Sequence, residues 1–178
     1  MNKIRITLQQ KKSSPTETNI DAISNWLMVF PYSMKKTTKS SYFPYQEKLL
    51  KRQQELDLKK FDTSPVIIDL PNKKSSHVSY AAIEASISSF ELLTLARKLM
   101  AAHSSINPAQ LGLFVYGFNK VESERIAEAL ISATLAAAAE MPKFKSEKQT
   151  ISRLSKLSLF GVRANHGFKQ SFAIAEGN

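Results

Sequence analysis

Residues 110–118 read QLGLFVYGF, and nearly every position in that run is apolar. A strand with one wet face alternates apolar and polar residues, whereas a strand apolar throughout is covered on both faces. The segment is therefore expected at the centre of a sheet, with helices packed on each side.

The neighbouring segments fit that expectation. Ser88 and Glu91 in S-S-F-E form a capping box, which opens a helix through about Ala102 with Leu92, Leu95, Ala96 and Leu99 on one face. Asn119 caps a second helix with Glu122 at its third position, running to about Glu140 with Ile126, Ala129, Leu130 and Ala133 inward, where Pro142 stops it. KLSLFGV at 156–162 reads as a last short strand. Upstream, PVIIDLP is a short apolar run between prolines and reads as a buried strand, and HVSYAAIEAS as a further strand after the NKKSS turn. Strand, helix, strand, helix, strand in succession predicts βαβ units in a largely parallel sheet.

The first third is less regular. KIRITLQQ alternates, with Ile4, Ile6 and Leu8 on one side, and predicts a half-buried strand. Ile20, Ile23, Trp26, Leu27 and Phe30 fall at helical spacing, so a short amphipathic helix is expected over Asp21 to Phe30, ended by Pro31. A loop follows over 32–46. A second, exposed helix is predicted over 46–60 with Leu49, Leu50, Leu56 and Leu58 inward.

The net charge is +10 and its excess sits early, since residues 1–62 hold 12 Lys/Arg against 6 Asp/Glu. A basic patch can steer a protein to nucleic acid, but an exposed basic face also serves solubility alone. Lys35, Lys36, Lys39 and Lys48 lie among Tyr42, Phe43 and Tyr45, an interleaving that can grip single strands; the other reading is a loop whose aromatics pack on the body. The chain has no cysteine, which removes disulfides, thiolate metal sites and a cysteine nucleophile. The N-terminus lacks the apolar core of a signal peptide, and no apolar run approaches the ~18 residues that span a bilayer. A cytoplasmic location fits these features.

Catalytic patterns are missing. His77, His103 and His166 have no second ligand at zinc spacing, and there is no G-x-S-x-G. The five glycines form no phosphate loop. Gly117 follows the central strand, where open α/β sheets bind ligands, but reads first as a turn residue. Asp69 ends the VIID run near the expected carboxyl edge of the sheet and reads as a cap rather than a site. We therefore assign no catalytic, cofactor-binding or metal-binding residue.

The C-terminal third has a further pattern. The small-residue helix IAEALISATLAAAAE is followed by MPKFKSE, then a strand, then AIAEGN. With Phe144-Lys145-Ser146 as an aromatic-lysine step and Ala173 to Asn178 as the opening of a connecting helix, residues 64–178 resemble the end of the N-terminal domain of the leucyl aminopeptidase family. Residues 1–62 match poorly, and PNKKSS replaces the family's Gly-rich turn after the PVIIDLP strand.

The resemblance implies a macro-domain-like fold, a mixed and largely parallel sheet with helices on both sides. Residues 1–168 would form one domain, and residues 169–178 would begin a helix toward a catalytic domain beyond them. That domain would hold two divalent metals, zinc or manganese, together with the catalytic residues. The chain would then be a non-catalytic part of a metal-dependent peptidase that assembles as a hexamer, and some bacterial members of the family bind DNA. The alternative reading is a basic binding module for nucleic acid or for an ADP-ribose-like ligand in a macro-like cleft.

Overall fold

In the computed structural model, which describes residues 6–36, 42–58, 64–139, 152–163 and 168, six strands form one sheet. The elements are β1 (Thr7–Lys11), α1 (Glu17–Ala22), β2 (Asn25–Pro31), a 3-10 helix (Tyr32–Lys36) and α2 (Gln46–Glu55). Then come β3 (Val66–Asp69), β4 (His77–Ile83), α3 (Ser89–Ala101), β5 (Gln110–Val115), α4 (Lys120–Ala138) and β6 (Lys156–Phe160). The spatial order is β1-β6-β5-β2-β4-β3. Every pairing is parallel except that of β3 with β4. The mixed, largely parallel sheet expected from the sequence is what forms.

β5 is interior, between β6 and β2. Leu111, Leu113 and Val115 face α3 and α4, while Phe114 faces the opposite layer. The capping boxes at Ser88–Glu91 and Asn119–Glu122 both form. The two helices pack on one face of the sheet, and Arg125 ties them by donating to the carbonyls of Ala85 and Ile87 at 3.0 and 2.9 Å. Leu92, Leu95, Ala96 and Leu99 of α3 are buried there, as are Ile126, Ala129, Leu130 and Ala133 of α4. The opposite face packs against α1 and α2 through Ile20, Leu49 and Leu50, over Trp26, Phe30 and Tyr80.

Three expectations need correction. Asp21 to Phe30 is not a helix: α1 ends at Ala22, and β2 occupies Asn25–Pro31 beside β5. Trp26, Met28 and Phe30 face α1 and α2, while Leu27 and Val29 face α3 and α4. Because both sides are apolar, the alternation vanishes and helical spacing is matched by accident. PVIIDLP is not fully buried either. β3 is an edge strand with Ile67 48% exposed, and prolines beside a strand suit an edge. Finally, Leu56 is exposed because α2 ends at Glu55; Gln46 and Gln53 are buried on that helix along with Leu49 and Leu50. Pro142, the Phe144-Lys145-Ser146 step and residues 169–178 lie outside the described residues.

Candidate functional site

The parallel strands β1, β6 and β5 open their carboxyl ends onto one edge, where α/β sheets place ligands. A groove of about 360 Å³ lies there. Lys12 after β1, Lys120 at the start of α4 and Arg163 after β6 bring positive charge to it, with Glu124 as a carboxylate on the same lining. Phe118 and Val162 form apolar wall.

Gly161 builds this edge. Its N–H donates to the carbonyls of Lys11 and Ser13 at 3.0 and 3.1 Å, so Lys12 is bracketed by two anchored residues. Its φ of +83° is left-handed, and a Cβ would collide with the Val115 carbonyl. Gly161→Ala is therefore expected to cost about 3 kcal/mol of stability, combining backbone strain with a clash against main chain. A urea midpoint unchanged from wild type would refute this account of the turn.

A second cluster lies at the opposite edge. The sequence places Asp69 near the carboxyl edge, but β3 runs antiparallel to β4, so its last residue sits at the amino edge of the parallel strands. There Asp69 pairs with His77, Oδ1 to Nδ1, at 2.7 Å. The His77 ring stands perpendicular to that of His103, with centroids 5.0 Å apart. His103 is fully buried, with Nε2 3.0 Å from Ser79 Oγ and Nδ1 3.2 Å from Asn25 Oδ1. Ser79 in turn donates to the Leu99 carbonyl at 2.9 Å, satisfying an acceptor in the last turn of α3. Burial, and secondarily repulsion from His77, lower the His103 pKa from 6.5 to about 4, against a smaller opposing effect of the Trp26 backbone.

The sequence treats these histidines as isolated. Hairpin pairing of β3 with β4, and the turn after α3, bring His77, His103 and Asp69 together. The cluster supports the fold: Ser79 is buried and committed to Leu99. Among the described residues, no group of three or more His, Asp or Glu could hold a metal ion. Among them, too, no helix is long and apolar enough to cross a membrane.

Of the candidate nucleic-acid contacts, Lys35 and Lys36 belong to the 3-10 helix, Lys48 is exposed on α2, and Lys39 lies outside the described residues. The aromatics near them in sequence are engaged with the rest of the fold. Phe43 is buried edge-on against Phe114 at 4.9 Å, Tyr42 stacks on Tyr116 at 5.7 Å, and the Tyr45 hydroxyl donates to Asp21 at 3.4 Å. The aromatics pack on the body. Sequence reasoning missed Lys12, Lys120 and Arg163; the available signal was that each follows a strand end within five residues.

No family model matches the sequence, and no curated protein matches it. Solved structures do. A tomato leucine aminopeptidase mutant superposes with a TM-score of 0.69 at 16% identity, over 99% of this chain and 36% of that one. The Leishmania major leucyl aminopeptidase in complex with actinonin gives 0.56 at 17%, covering 98% of this chain and 34% of its own. The apo leucyl aminopeptidase of Trypanosoma cruzi gives 0.57 at 12%, covering 97% and 36%. At such identities the likeness is one of fold, and it includes the N-terminal third that resembles the family poorly in sequence. The chain spans about a third of the length of these enzymes.

Proposed function

We propose that this chain is a non-catalytic domain of a leucyl aminopeptidase, acting on assembly or on access to the active site. The observation that carries the reading is the fold likeness to three such enzymes over 97–99% of the chain and only 34–36% of theirs. In this reading the parent removes N-terminal residues from peptides in the cytoplasm. The parent's catalytic domain would hold two divalent metals, zinc or manganese, which would supply Lewis-acid chemistry for the hydrolysis. Their ligands belong to the parent's catalytic domain, which is this domain's partner within one subunit of a hexamer.

Two measurements test the reading. The purified chain, given leucyl p-nitroanilide with Zn²⁺ or Mn²⁺, is expected to release no p-nitroaniline above buffer; enzyme-like turnover would overturn the non-catalytic role. The gene should continue beyond codon 178 into a region encoding the metal-binding carboxylates. A stop codon there would overturn the parent.

A further inference from the structure

Three cations from three separate segments converge on the groove at the carboxyl edge. Lys12, Lys120 and Arg163 line it, and with Glu124 they leave a formal charge of +2 on its charged lining. Its volume of about 360 Å³ falls within the ~300–1,000 Å³ of small-ligand sites. Lys120 Nζ lies 4.0 Å from Glu124 Oε1 and the lysine side chain is 71% exposed. Such a long, solvated pair is weak, so Lys120 can turn to a ligand at little cost.

The walls are fixed. The Gly161 N–H holds the ends of β6 and β1 together, and Ser123 Oγ donates to the Phe118 carbonyl at 3.3 Å where α4 begins. The cations thus stand on anchored main chain, and a concave wall of net positive charge concentrates counter-ions.

We propose that this groove binds a small ligand carrying a dianionic oxyanion head, a phosphate monoester or a dicarboxylate, on an apolar body. The +2 charge matches a dianion. The Arg163 fork can engage two oxygens at once, while the lysines act as point charges. Phe118, partly exposed, receives the apolar body, with Val162 buried behind the lining. This site stands apart from the aminopeptidase reading and survives its failure.

The test is an amide NMR titration of the full-length protein with phenyl phosphate and with phenylmalonate, at constant ionic strength, with benzoate as the monoanion. Saturable shifts at Lys12, Lys120, Gly161 and Arg163 are expected, with benzoate weaker than either dianion. Whichever dianion binds more tightly identifies the natural head group. Lys120→Ala and Arg163→Ala are each expected to weaken binding about tenfold, as loss of a charged hydrogen bond does. Arg163→Lys should fall between, and Lys48→Ala on α2 should change nothing. All these side chains are exposed, so unchanged melting temperatures would show that the variants fold. Absence of saturation, equal binding of benzoate, or affinity that survives Arg163→Ala would overturn the proposal. So would a short DNA duplex that binds where phenyl phosphate does not.

Discussion

Replacing Trp26 with alanine is expected to lower the free energy of unfolding by about 4 kcal/mol, in the range measured for large buried aromatics. The indole is fully buried in β2, tilted against Phe160 with centroids 5.5 Å apart. It lies over Gly112 of β5, where an added Cβ would run into the ring, so the glycine makes room for the indole. Nε1 donates to the Ile23 carbonyl at 2.8 Å, and alanine would remove that hydrogen bond, leaving the carbonyl to the Ser76 hydroxyl at 3.1 Å, as well as opening a cavity. Urea unfolding with an unchanged slope reads the effect, and a loss below about 1 kcal/mol would show that the site collapses around the smaller side chain.

The second large effect depends on pH. The folded pKa of His103 is lowered to about 4 from an ordinary 6.5. Below pH 6.5 the unfolded chain takes up a proton that the folded ring refuses, so protons favour unfolding. The contribution is fully present above about pH 6.5 and is lost as pH falls toward 4. The shift corresponds to about 3 kcal/mol, of which about 2 kcal/mol is gone by pH 5. Urea midpoints at pH 7 and pH 5 should separate in the wild type and draw together in His103→Gln. Glu91 does not confuse this window: hydrogen bonds from Ser88 hold its carboxyl below the usual range. Equal wild-type midpoints at the two pH values would refute the assignment.

The fold was most legible where sequence signals are local. The capping boxes at Ser88 and Asn119 involve residues three apart, and both were visible without any knowledge of the sheet. The central position of β5 could be read because a run apolar on both faces has few other uses. β2 has the same character, yet its apolar spacing matches a helix. Its six buried residues from Asn25 to Phe30 carry no periodicity, and Ile20 and Ile23 upstream lent it a false helical one. The capping box at Thr16 and Asn19 marks where α1 begins, but its end is capped at Ile23, whose extended backbone turns the chain into β2.

The candidate sites were less legible because they depend on long-range pairing. Asp69 and His77 meet through an antiparallel register, and one reversed strand moves Asp69 from one edge of the sheet to the other. The charges of the groove come from positions 12, 120 and 163, which only the closed sheet brings side by side. Charge counting along the chain favoured the N-terminal third, where basic residues are close in sequence and their aromatic neighbours are already engaged.

The place of β1 at the edge of the sheet has a consequence for biosynthesis. Among the described residues its one strand neighbour is β6, with Thr7 opposite Lys156 and Lys11 opposite Phe160. β1 leaves the ribosome before β2, β4 and β5 yet waits for β6, which follows them all, while those three can already assemble. Such a long closure delays the final step of folding and leaves a strand edge open to foreign chains meanwhile. Thr7, Gln9 and Lys11 on the exposed side of β1 give the waiting segment a polar face, which keeps it in solution until its partner arrives.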